Sequence, residues 1–205
     1  MDFLAKLPAI RAFRTIVKEV LETAINSLID NFIREPYIHR CEHSIHCELY
    51  TMLSVHRALQ GVYPFSGNGN QYTALIHKEW PETIARPDKN DRRGNFDLAI
   101  LNPVDIRKHT VTDFTNGHIS PAFVVELGLN YGLDHLTNDY TKLINSNCNQ
   151  GYLVHLWQPH KGIRSNDIKS LQAWCKGKNN VAIAVFIKNS VLVKHLKEES
   201  ILINI

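Results

Sequence analysis

Apolar residues recur at Ile10, Phe13, Val17, Val20, Leu21, Ala24, Leu28 and Phe32, and this three-to-four spacing predicts an amphipathic helix over residues 8–34. Pro36 follows it. A second helical pattern runs over 37–59 through Ile45, Leu49, Met52, Leu53 and Val55, with Gly61 placed to end it. The SGNGN segment, 66–70, is turn chemistry, because Gly and Asn accept positive φ. Strands are expected after it: one over 72–80, then a polar, basic loop over 81–93, then a strand over 95–101 with FDLAIL at its centre. A loop over 102–121 leads to AFVVELGL, 122–129, whose apolar run predicts a strand buried on both faces. Leu133, Leu136, Tyr140, Leu143 and Ile144 return to helical spacing before a strand over 152–157. A helix over 166–176 and strands over 181–187 and 191–195 complete the pattern. The fold class is α/β, an αβββαβ core over 37–205 with an N-terminal helical extension over 1–36.

With 205 residues the chain can bury a full hydrophobic core. No stretch approaches the roughly 18 uninterrupted apolar residues of a membrane span, and MDFLAKLPAIRAFR lacks the core and cleavage site of a signal peptide. A cytoplasmic protein with no membrane partner is expected. Cys41, Cys47, Cys148 and Cys175 are irregularly spaced and suit reduced thiols better than a disulfide framework. The net charge of +3 permits a polyanion partner without selecting one.

The informative chemistry lies in acids set into apolar strands. Side chains alternate faces along a strand, so Glu126 shares a face with Val124 and Gly128. A lone carboxylate there costs on the order of several kcal/mol unless it is paired, protonated or bound to a cation. Asp97 likewise interrupts Phe96, Leu98 and Ile100. If the two strands pair antiparallel, both acids face one another, and a divalent cation is the usual resolution of their repulsion.

In this order of elements the chain resembles the PD-(D/E)XK nuclease superfamily, which has the restriction-endonuclease-like fold. Glu42 in HRCEHSIHCELYTML, Asp97 in GNFDLAIL, Glu126 in FVVELGL and the helix DHLTNDYTKL follow that family's succession over roughly 42–157. The resemblance implies a metal-dependent nuclease hydrolysing phosphodiester bonds, with DNA favoured over RNA. It implies Mg²⁺, or Mn²⁺, held by Asp97, Glu126 and the backbone carbonyl of Leu127. One departure stands out: the family's lysine falls at Gly128. Either Lys142 on the next helix supplies the cation, beside His135 and Asp139, or Lys142 forms a helix ion pair with Asp139 and the fold is a catalytically inactive module binding nucleic acid or a protein partner.

Glu42 lies at the start of the core-facing stripe of its helix, and Glu48 competes with it for the role of helix acid. Glu79 reads as a surface acid or an additional ligand, and Lys78, Arg92 and Arg93 as phosphate contacts or surface charge. The cluster His39, Cys41, His43, His46 and Cys47 offers soft-metal ligands but matches no defined zinc spacing, so a zinc-stabilised interaction module stands as a rival. The long first helix offers a face for a homodimer.

Overall fold

The computed structural model describes residues 3–67, 70–85, 90, 92–146, 148, 150–161 and 163–204, with side chains described except at 3–10 and 165. Helices α1 (Phe3–Arg34) and α2 (Glu42–Ser54) open the chain. Two short strands, β1 (Tyr63–Pro64) and β2 (Tyr72–Thr73), pair antiparallel. Strands β3 (Ile76–Pro81) and β4 (Asn95–Ile100) follow, then helices α3 (Pro103–Ile106) and α4 (Val111–Thr115). Next come β5 (Phe123–Leu129), α5 (Leu133–Asn145), β6 (Gly151–Trp157) and α6 (Ser165–Cys175). Strands β7 (Val181–Ile187), β8 (Ser190–Lys194) and β9 (Ile201–Asn204) close the chain.

The fold is mixed α/β, with a seven-stranded mixed sheet in the order β3-β4-β5-β6-β7-β8-β9. Strand β4 is antiparallel to β3 and to β5, with Leu98 opposite Val125 and Ile100 opposite Phe123. Between β5 and β6 the bonds Val124 N–H to Gln150 O and Asn130 N–H to Leu156 O keep a constant offset, the mark of a parallel pair joined through a crossover helix, here α5. Strand β7 runs parallel to β6 and antiparallel to β8, and β8 antiparallel to β9.

Several expected boundaries move, each for a local reason. The strand expected over 72–80 is two strands, because residues 72–73 pair with β1 and only Ile76 onward joins β4. Helix α2 starts at Glu42, since the segment before it is turned back, with Ile38 N–H on Glu35 O at 3.1 Å. It ends at Ser54, and residues 55–59 continue as turns, with Leu59 N–H on His56 O at 2.8 Å. The expected loop over 102–121 holds α3 and α4. Asn102 caps the first through its side chain and Pro103 opens it; Thr110 and Asp113 form a capping box on the second. Strand β9 extends the sheet beyond the strands the pattern predicts, through its ladder with β8. In the SGNGN turn Gly67 takes φ +81°, while Asn68 and Gly69 lie outside the described residues, as do 86–89 and 91 of the basic loop and 147 and 149 of the turn before β6.

The chain divides into two compact units: Met1–Leu21, Tyr50–Val125 and Asn145–Gly151 form the first, and Glu22–Leu49, Glu126–Ile144 and Tyr152–Ile205 the second. The first buries Val17, Leu53, Leu75, Phe96, Leu98 and Ile100. The second buries Ile25, Leu28, Phe32, Leu49, Leu136 and the strand residues of β6, β7 and β8, with Phe32 edge-on to Phe186 at 5.9 Å between ring centroids. The Tyr152 hydroxyl donates to Glu22 Oε1 at 3.0 Å, and Lys197 Nζ lies 2.5 Å from Glu22 Oε2. Burial and then the Glu22 charge push the Tyr152 hydroxyl far above its usual range. No helix among the described residues is long and apolar enough to cross a membrane.

Candidate functional site in the second unit

Every residue of β5 is buried, and Glu126 is 2% exposed, so its carboxylate requires a counter-charge. Helix α5 supplies it. Its core stripe is Leu136, Asp139 and Leu143, and Lys142 stands beside that stripe. Lys142 Nζ lies 2.7 Å from Glu126 Oε1 and donates to Oε2 at 2.8 Å, and the two side chains are only 8% and 3% exposed. A contact gripping both carboxylate oxygens in a dry environment is of the strong, charge-assisted kind.

Gly128, two residues along the same face of β5, has its own structural reason. A Cβ built there would lie 2.4 Å from His155 Nε2 and 2.5 Å from His155 Cε1. The imidazole of His155, from β6, fills the space into which a side chain at 128 would grow. His155 is fully buried, and its Nε2 lies 3.2 Å from Asp139 Oδ2. Asp139 Oδ2 also meets His135 Nδ1 at 2.9 Å, one turn earlier on α5. Burial holds the His155 ring below the usual imidazole range, against the opposing pull of Asp139.

Tyr131 closes this group on one side. Its ring stacks on His135, with centroids 4.1 Å apart and planes 10° from parallel, and its carbonyl accepts Trp157 Nε1–H at 2.5 Å. Asn130 turns the chain here with φ +64°, a left-handed conformation that Asn tolerates. The Asn130 amide clamps Gln158, donating to Oε1 at 2.7 Å and accepting Gln158 N–H at 2.9 Å. Gln158 Nε2 then donates to Pro36 O and His39 O, both at 2.8 Å, and so holds the segment leading into α2.

That segment delivers Glu42 to the first turn of α2, where a negative charge suits the helix dipole. His46 Nε2 is 3.6 Å from Glu42 Oε1. Burial pushes the Glu42 carboxyl up, but His46, the Tyr131 hydroxyl and the His135 charge outweigh it, and the group is held below its usual range. Beside it opens a groove of about 670 Å³ lined by Arg40, Glu42, Tyr131, His160 and Lys161, among others. Glu48, the competing helix acid, is engaged elsewhere: its carboxylate meets His39 Nε2 at 2.7 Å and accepts from Asn31 at 2.8 Å.

The remaining expected residues fall as follows. Asp97 is half-buried in β4 of the first unit, immediately before Leu98, whose partner Val125 immediately precedes Glu126. Leu127 is buried in β5. Glu79 and Arg92 are exposed and Lys78 half-buried. Arg93 is structural: its guanidinium donates to Gly117 O at 3.1 Å and to Asn116 O, at the end of α4. Of the soft-ligand cluster, His39 is taken up by Glu48 and Ser44, His43 stacks on His46, and Cys41 and Cys47 are exposed. His155, Tyr131, Asn130 and Gln158 were not singled out from the sequence. His155 carried a usable signal, because it interrupts the apolar run YLVHLW as Glu126 interrupts FVVELGL. Compared with models of protein families, with curated proteins and with solved structures, the chain matches none.

Proposed function

We propose that the chain is a metal-dependent nuclease that hydrolyses phosphodiester bonds, DNA being the favoured substrate, on a restriction-endonuclease-like αβββαβ core. The observation that carries this reading is the contact of Lys142 Nζ with both oxygens of Glu126, at 2.7 and 2.8 Å. The family's lysine is absent from position 128, and a lysine from the following helix reaches the carboxylate it would serve.

The donor set suits a hard cation: Glu126 offers carboxylate oxygens and Leu127 a carbonyl, and Mg²⁺ keeps several waters, so few protein ligands suffice. Asp97 joins them on the strength of the sequence order alone. A bound Mg²⁺ would polarise a phosphoryl oxygen and lower the pKa of a coordinated water. Lys142 would stabilise the negative charge that grows on the phosphoryl oxygens as the bond to phosphorus forms. Glu42, held ionised, would orient the attacking water. Arg40 and Lys161 in the adjoining groove supply positive charge for a polyanionic backbone.

A second reading has an observation of its own. Lys142 engages both oxygens of Glu126, and a pair closed in this way also describes a catalytically inactive module that binds nucleic acid or a protein partner. Incubation with single- and double-stranded DNA and RNA across Mg²⁺, Mn²⁺ and EDTA separates the two. Cleavage that requires metal and disappears in Asp97→Asn supports the nuclease; no cleavage with any metal transfers the case to the binding module.

A further inference from the structure

We propose that His135, Asp139 and His155 form a binding site for a divalent first-row transition-metal ion of the zinc class, separate from the oxygen-donor site at Glu126 and independent of the nuclease reading. Each of the three residues offers one donor atom, and the three atoms lie within 4.8 Å of one another. His135 Nδ1 and His155 Nε2 approach the same oxygen, Asp139 Oδ2, at 2.9 and 3.2 Å. Bonds of about 2.0–2.2 Å to a common ion set donors roughly 3.0–3.5 Å apart, so the edge at 3.2 Å already has the required length and the edge at 2.9 Å needs only a slight opening. Imidazole nitrogens prefer zinc and its neighbours to magnesium, and two of them with one carboxylate leave coordination positions open for water.

The elements around the three ligands preform this arrangement. His135 and Asp139 are separated by one turn of α5 and share its face. His155 comes from β6 and occupies the space that Gly128 leaves by having no Cβ. Tyr131 stacks on His135 at 4.1 Å and Trp157 lies 5.4 Å from the His155 ring, an aromatic wall that limits water at the inner ligands. The side chain of His135 is 45% exposed, which gives an ion its way in.

A second observation bears on the site independently. His155 Nδ1 is buried without a hydrogen-bond partner. The ring is therefore engaged through Nε2 alone, the nitrogen that faces Asp139 and would bind the ion. An ion bound here takes the place of the hydrogens that His135 Nδ1 and His155 Nε2 share with Asp139; each ring, as a neutral ligand, carries its one proton on the other nitrogen, and any further proton leaves to solvent.

The test is Zn²⁺ titration by calorimetry of chelator-stripped protein, alongside Co²⁺ titration read by its visible absorption, in wild type, His135→Ala and Asp139→Asn. The two variants alter a half-exposed side chain and an isosteric one, so each retains a fold that circular dichroism can verify; His155 is left intact because its removal opens the core. One equivalent should bind the wild type, with affinity lowered about 100-fold or more in each variant. A large excess of Mg²⁺ should leave the zinc isotherm unchanged. Failure of the wild type to bind Zn²⁺ and Co²⁺, binding of equal affinity in the variants, or displacement by Mg²⁺ would each overturn the proposal. None of these results depends on whether the protein cleaves nucleic acid.

Discussion

Gly128→Ala adds one methyl group and tests the central packing relation of the second unit. The new Cβ would stand 2.4 Å from His155 Nε2, 2.5 Å from Cε1 and 2.7 Å from Cδ2. Ordinary contact distances begin near 3.5 Å, so the ring must retreat by about 1 Å. It cannot retreat freely, because it is fully buried, with Trp157 and His135 packed around it and its Nε2 on Asp139. Overpacking of this kind costs roughly 1–3 kcal/mol, and a lost hydrogen bond to the Asp139 carboxylate adds about 1.5–3 kcal/mol. The expected destabilisation is therefore roughly 2.5–6 kcal/mol, or on the order of 5–25 °C in Tm for a chain of this length. Urea unfolding of Gly128→Ala in the wild type and in a His155→Ala background measures it. With the ring truncated, the methyl has room, and the substitution should cost less than about 1 kcal/mol, or even stabilise by restricting the unfolded chain. An equal cost in both backgrounds, or a cost below about 0.5 kcal/mol in the wild type, would refute the claim that His155 is what demands glycine here.

Three further outcomes follow from the same geometry. On the proposed nuclease reading, Lys142→Ala should lower metal-dependent cleavage by roughly 10²-fold or more in single-turnover kinetics, and Lys142→Arg should not fully restore it, since a planar guanidinium does not replace a compact ammonium; an unchanged rate would remove the lysine from the mechanism. Glu126→Gln should cost about 1.5–3 kcal/mol in urea unfolding, because it weakens the buried contact with Lys142, and unaltered stability would count against that contact as a source of folding energy. Burial depresses the His77 pKa below 6.5, against the raising effect of Ala74 O, so the unfolded chain takes up the proton first. This contribution to stability is complete above about pH 6.5 and declines as pH falls below it, so the urea midpoint of wild type should drop relative to His77→Gln between pH 7 and pH 5. Parallel pH profiles for the two proteins would show that His77 is not the group responsible.

What the sequence made legible was the interior. Strands β4 through β8 announce themselves through apolar runs, because burial on both faces of a central strand leaves no alternation to misread. The elements held by local polar chemistry stayed hidden. Helices α3 and α4 are too short for periodicity and exist through the caps of Asn102 and Thr110. Strand β9 is hidden for another reason: it is only four residues long, its apolar Ile201, Leu202 and Ile203 are exposed, and its ladder with β8 holds it. Among the acids, burial within β5 was readable for Glu126, but which cation met it was a question of helix placement. Glu42 and Glu48 differ by six positions on one helix, and their separate fates depend on Tyr131 and His39, residues from outside it.

The relation between Gly128 and Lys142 also bears on the proposed nuclease reading, in which a lysine would be expected at position 128. A position that has merely lost its lysine would tolerate any small residue, since nothing would require the vacated space. Here the space is taken: His155 from the neighbouring parallel strand stands where a side chain at 128 would begin, and Asp139 of α5 holds that imidazole in place. A lysine on β5 and a histidine on β6 are thus alternatives for one volume. With the histidine present, the cation for Glu126 has to arrive from another element, and α5 is already committed to this spot through Asp139. Lys142, three residues later on that helix, reaches Glu126 at 2.7 Å. The helix that fixes the imidazole and the helix that neutralises the carboxylate are the same one. Replacing Gly128 with lysine should therefore destabilise the protein: the new side chain would displace His155, leave Asp139 without that partner and bring a second ammonium toward one already paired with Glu126, so loss of stability is expected rather than gain of activity.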